Sequence, residues 1–132
     1  MQNILTDAGP LIALFLANDT HHERAKTFAQ HNTARLLTTC AVVTEVCYFL
    51  NSDGKKAFLT FVKRGAVTIE AIGVDDLGRI IQLVGKYQKM DFADASLVLL
   101  AEKTDITDIA TVDRTDFDIY RTKTGKPFRN LF

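Results

Sequence analysis

Apolar residues fall along this chain in two alternating patterns. Short runs rich in β-branched and leucine residues read as strands: Asn3 to Thr6, Leu36 to Thr39, Ala66 to Ile72, Ile109 to Val112 and a last one over Phe128 to Phe132. Longer stretches with apolar residues every three to four positions read as helices. The first starts at Pro10, whose fixed φ suits a first helical turn, and runs to Ala17 after a turn at Asp7-Ala8-Gly9. His21 to Gln30 turns Ala25, Phe28 and Ala29 inward, Cys40 to Leu50 reads as a buried helix, and Asn51 to Gly54 as a loop. Lys56 to Arg64 follows, ended by Gly65, and then a helix from Asp75-Asp76 to Tyr87 and another opened by Asp91. Strands alternating with helices predict an α/β fold around a mainly parallel sheet of four to five strands. No linker or repeat divides residues 1–132, so a single domain is expected.

Composition narrows the class without naming a function. With 47% hydrophobic and 24% charged residues the chain is an ordinary globular protein, which excludes disorder and a histone-like basic protein. No apolar run nears the roughly 20 residues of a membrane span, and no basic segment precedes an apolar one at the N-terminus. A soluble, cytoplasmic protein with no membrane partner is expected. Cys40 and Cys47 would sit about 10 Å apart along a helix, too far for a disulfide, and read as buried free thiols.

The formal net charge is zero, but it is unevenly placed. Residues 91–118 hold eight acids against two bases, while residues 119–132 hold Arg121, Lys123, Lys126 and Arg129 and no acid. The adjacent His21 and His22, at a helix start, read as surface residues. P-loop, dinucleotide-binding, zinc-protease and serine-hydrolase motifs are all absent.

The acids themselves carry the chemistry. Asp7 and Asp113 each directly follow a strand, and in open α/β sheets ligands bind beyond the carboxyl ends of the strands. Turn or capping roles are the ordinary alternative for such residues. Asp91 and Asp94 open a helix with their carboxylates on one face, a variant of the capping box in which the helix dipole should keep both ionised at pH 7. Glu45 is the only charge in its apolar helix, with no base within four residues, and a buried carboxylate needs a cation. Several carboxylates without paired His or Cys favour a hard divalent ion, Mg²⁺ or Mn²⁺. Such an ion would also reconcile a negative site with a negative phosphodiester.

These residues together resemble the PIN-domain ribonucleases, most of all their VapC-like toxin branch. The resemblance rests on Ile4-Leu5-Thr6-Asp7 with Pro10 to Leu14, on Val42-Val43-Thr44-Glu45-Val46, on Asp94-Ala95-Ser96 through Ala101, and on Ile109-Ala110-Thr111-Val112-Asp113-Arg114. It implies a three-layer α/β/α sandwich and a metal-dependent endoribonuclease that leaves 3′-hydroxyl and 5′-phosphate ends. It further implies an antitoxin partner and a homodimer, for which the apolar positions of Phe58–Val62 and Ile80–Val84 offer a face. By the same resemblance Asp7, Glu45, Asp94 and Asp113 form the catalytic set. Asp7, Asp94 and Asp113 would hold Mg²⁺ or Mn²⁺, with Asp91 and then Asp116 as further candidates. Thr111, Arg114, Arg121 and Lys123 would contact the RNA substrate, with Lys126 and Arg129 as further phosphate contacts. The chain departs from the family pattern at Ala8, where a hydroxyl residue is common. Two other functions fit the same residues: a PIN-fold RNA-binding or scaffold protein without catalysis, and a metal-dependent small-molecule phosphatase.

Overall fold

The computed structural model describes residues 2–132. Five strands, β1 (Asn3–Thr6), β2 (Arg35–Thr39), β3 (Val67–Glu70), β4 (Asp108–Ala110) and β5 (Arg129–Asn130), form one sheet in the order β3-β2-β1-β4-β5. Every strand pair in it is parallel. Leu5 lies at its centre, level with Leu37 on one side and Ile109 on the other, and is fully buried. Seven helices connect the strands: α1 (Ala8–Phe15), α2 (His22–His31), α3 (Cys40–Phe49), α4 (Ser52–Lys63), α5 (Leu77–Lys86), α6 (Phe92–Thr104) and α7 (Arg114–Ile119). The chain steps from β1 to β2 to β3 in one direction, then returns across the sheet to β4 and β5. Right-handed crossovers running in opposite directions cover opposite faces, which gives the helix–sheet–helix layering. The reversal also creates a switch point between β1 and β4, where a crevice opens beyond their carboxyl ends.

The α/β class and parallel sheet are those the pattern predicts, and the differences are local. Helix α1 begins at Ala8 because the Asp7 side chain accepts the Ala8 N–H and caps it, turning the expected turn into helix. Residues 51–54 are not a loop: Asn51 caps α4 through the Gly54 N–H at 2.9 Å, so that helix starts at Ser52. Gly65 ends α4 as expected, with φ of 92°. Strand β4 stops at Ala110, two residues early, because the Thr111 N–H turns to the Asn130 side chain. Helix α7 has only six residues, too few to show a period in sequence.

The core runs under the whole sheet. Phe58 is fully buried with the Phe15 ring edge-on to it at 5.6 Å, and Phe117 sits between the rings of Tyr120 and Phe128. Burying a ring of this size contributes roughly 2–3 kcal/mol. Helix α3 is only half buried: Val42 and Val46 face the core, while Tyr48 is 82% and Phe49 54% exposed. Its outer face also exposes Cys40, and Cys47 is half-buried, so both thiols are free but neither is enclosed as the sequence suggests. Phe58, Ile80 and Leu83 belong to the core, leaving Leu59, Ile81 and Val84 exposed in the segments expected to form a dimer face. Among the described residues no helix is long and apolar enough to cross a membrane.

Candidate active site

At the β1/β4 switch point a cleft of about 450 Å³ gathers Asp7, Glu45, Asp91, Asp94, Asp113 and Asp116, with Asp19, His21 and Lys89 also on its walls. Four parts of the chain deliver the first six. Asp7 leaves β1 and caps α1; Glu45 projects from α3; Asp91 caps α6 by accepting the Asp94 N–H at 2.8 Å; Asp113 caps α7. Carboxylate oxygens of Asp94, Asp113 and Asp116 lie within 4.8 Å of one another. Asp116 is therefore as central as any of the acids expected here. Asp7, Glu45 and Asp91 line the same cleft around that trio.

Buried hydroxyls hold the acids in place. Thr111 Oγ1 donates to Asp7 Oδ2 at 2.9 Å and accepts the Asp113 N–H at 2.9 Å, tying the two strand-end aspartates together. Being fully buried, Thr111 has no surface for substrate, and the contact expected of it is replaced by this positioning role. Tyr120 donates its hydroxyl to Asp94 Oδ2 at 2.9 Å, a contact that no sequence signal announced. Thr39 caps α3 through the Val42 N–H, and its hydroxyl lies 2.7 Å from that of Ser96, which locks the glutamate helix to the aspartate helix. Gly9 is needed for the close approach of α1 to the β4 end: a Cβ there would lie 2.2 Å from Val112 Cγ2.

Crowding shows in the acidities. Burial, then the charges of Asp7 and Asp91, push Asp94 up to about 7, against a weaker opposing pull from the Tyr120 hydroxyl. Asp113 rises to about 6, through burial and the neighbouring Asp116 carboxyl. Asp7 and Glu45 are raised as well, burial being the first cause for each. Full ionisation of Asp94 at pH 7, expected from the helix dipole, does not hold, because desolvation and like charges outweigh the helix end. Glu45 meets other carboxylates where its sequence surroundings called for a cation.

The expected phosphate contacts lie elsewhere. The Arg121 guanidinium donates to the carbonyls of Asp118 and Tyr120 at the end of α7. Lys126 pairs with Asp105, and Arg129 with Asp108 at 2.8 Å, at the start of β4 and so at the opposite end of the sheet from the cleft. The Lys123 N–H donates to Glu102, about 12 Å along α6 from Asp94. Arg114 is exposed next to Asp113 but does not line the cleft. His22 is not a plain surface residue, since its Nδ1 lies 2.7 Å from the Ala13 carbonyl. His21, Asp19 and Lys89, which do line the cleft, sit on the α1–α2 and α5–α6 loops, where hydrophobic spacing gives no guidance.

An oxygen-only donor set, raised carboxyl pKa values and no protein cation paired with the cluster among the described residues together fit a hard divalent ion.

A parallel α/β domain with carboxylates converging at its switch point is the architecture of a PIN domain, and the PIN-domain family model matches residues 4–123. The chain belongs to that family. It is 27% identical over 131 residues to Ribonuclease VapC26 of Mycobacterium tuberculosis, covering 95% of this chain and 97% of that protein. The fold is shared with the crystal structure of M. tuberculosis VapC20, described as a sarcin-ricin loop cleaving toxin. That match has a TM-score of 0.76 and 19% identity, and covers 85% of this chain and 91% of that one.

Proposed function

We propose that this protein is a Mg²⁺- or Mn²⁺-dependent endoribonuclease, the toxin of a type II toxin–antitoxin pair that acts in the cytoplasm as a single domain. The observation that carries this reading is the cleft itself: carboxylates from four parts of the chain are forced together without an ion pair, at a cost visible in the raised pKa values of Asp94 and Asp113. The PIN family, a relative named as a ribonuclease and a fold neighbour described as a sarcin-ricin loop cleaving toxin support it.

Asp94, Asp113, Asp116 and Asp7 would hold the ion, with Glu45 and Asp91 lining the same cleft. When bound, the ion supplies a polarised water and neutralises charge building on the phosphate. The chain's own groups do the positioning. Thr111 fixes Asp7 and Asp113, Tyr120 fixes Asp94, and the Thr39–Ser96 contact sets Glu45 against α6. An antitoxin would silence the site by pairing a basic side chain of its own with the acids, which form no ion pair among the described residues. A second copy of the chain would complete a homodimer through the exposed apolar positions of α5, Leu77, Ile81 and Val84.

Purified protein should cut RNA with Mg²⁺ or Mn²⁺, stop in EDTA, and leave 5′-phosphate ends on mapping. Cleavage by Asp94→Asn at the parental rate would refute this site.

A further inference from the structure

The geometry points to Lys89 as the residue that grips the phosphate backbone of the substrate at the mouth of the cleft. This rests on the ribonuclease reading above and assigns a contact that the basic C-terminal segment had been expected to make. Lys89 is the one Lys or Arg lining the cleft, and His21 its only other basic side chain. Among the described residues Lys89 makes neither an ion pair nor a hydrogen bond, although carboxylates line the same walls.

The backbone sets where it is presented. Gln88 and Lys89 form the tip of a tight turn closed by the Met90 N–H donating to the Tyr87 carbonyl at 3.0 Å. Both ends of that turn are anchored. Met90 is buried, and the Tyr87 hydroxyl accepts the Arg121 N–H, while its ring packs edge-on against Tyr120 at 5.0 Å. Tyr120 is the residue that holds Asp94. One aromatic pair therefore fixes both the central acid and the turn that presents the lysine.

Electrostatics require such a group. An RNA strand approaching the cleft meets a wall of carboxylates, and a bound ion offsets only part of that repulsion. The other expected cations are occupied or remote: Arg121 caps α7, and Lys126 and Arg129 are paired at the far end. A mobile four-carbon stem ending in a compact ammonium can follow a phosphate without base preference, so Lys89 should set affinity and leave sequence choice alone.

The test is single-stranded RNA binding by fluorescence anisotropy across a salt series, on the cleavage-impaired Asp94→Asn protein and on the same protein carrying Lys89→Met, Lys89→Arg or Lys123→Met. Lys89→Met should bind about tenfold more weakly, with the slope of log affinity against log salt shallower by about 0.7, the loss of one single-strand phosphate contact. Lys89→Arg should restore both, and Lys123→Met should change neither. In otherwise parental enzyme, Lys89→Met should raise KM while kcat holds. Unchanged affinity and slope in Lys89→Met, or an equal loss in Lys123→Met, would overturn the assignment while leaving the ribonuclease reading intact. A parent that neither cuts nor binds RNA would sink both.

Discussion

At the C-terminal end of α6 Glu102 receives a two-pronged ion pair from Arg79, at 2.8 and 2.9 Å, and just beyond it Asp105 and Asp108 take Lys126 and Arg129. At the N-terminal end of the same helix Asp91 and Asp94 face Asp7, Glu45, Asp113 and Asp116, and none of them has a protein cation among the described residues. Residues drawn from one acidic stretch of sequence are thus handled in opposite ways. Where the acids serve the fold, the chain supplies the counter-charge; Arg129, for instance, holds Asp108 below the usual carboxylate range. Where they line the switch point they form no ion pair among the described residues, and Asp94 and Asp113 rise instead. A site that keeps its charges unpaired is organised for a cation from outside.

The sharpest way to break this contrast is to neutralise one acid at each end. Asp94→Asn should lower RNA cleavage by roughly a hundredfold or more, as loss of a charge-stabilising group in a catalytic site does. Glu102→Gln should leave cleavage near the parental rate. Equal losses at both ends would mean that the distinction is not functional.

Metal should act at one end only. At about a hundredfold excess over its dissociation constant, Mn²⁺ should stabilise the fold by about 3 kcal/mol, read as a rise in Tm, because it binds the folded chain alone. Asp94→Asn and Asp113→Asn should both lose that rise. A rise that survives in both would place the ion elsewhere. Arg79→Ala probes the opposite end. It strips a partly buried carboxylate of its bidentate partner and should cost about 2 kcal/mol in urea unfolding, without altering the response to Mn²⁺.

Much of this contrast could be read from sequence, though the counter-charges could not. Asp7 and Asp113 follow strands and Asp91 opens a helix, and those local signals are enough to bring three acids to one edge of a parallel sheet. The basic residues after Tyr120 lie away from the cleft, because closeness in sequence is not closeness in space. The 13 residues of α6 span about 20 Å, so Asp105 and Asp108 emerge at the far end and draw Lys126 and Arg129 with them. Tyr120 and Lys89 are set by tertiary contacts between α6, α7 and the α5–α6 turn, which no periodicity encodes. The resemblance sets Thr111 against the RNA, but a strand-end hydroxyl can face solvent or the next strand, and here it faces Asp7 and accepts the Asp113 N–H.

The finest probe of the two ends is pH, because their acids titrate in opposite directions. In the metal-free protein Asp94 is raised from 3.8 to about 7, so between those values the folded state holds a proton that the unfolded chain has released. Its contribution to stability is fully present below about pH 4 and is lost as pH rises through about 7. With allowance for partial solvation of the cleft, metal-free protein in EDTA should lose about 1 kcal/mol of stability between pH 6 and pH 8. Asp108 has the opposite sign: held low by Arg129, it keeps its contribution across that whole window and loses it only in acid, below the ordinary carboxylate range. The slope between pH 6 and 8 therefore reports the cleft alone. Saturating Mn²⁺ should flatten it, because an ion satisfies the charges that the proton would otherwise relieve. Asp94→Asn should flatten it without metal, whereas Arg129→Met should leave it intact. A slope unchanged in Asp94→Asn would show that the cleft acids are not under strain, and the contrast between the two ends of α6 would lose its physical basis.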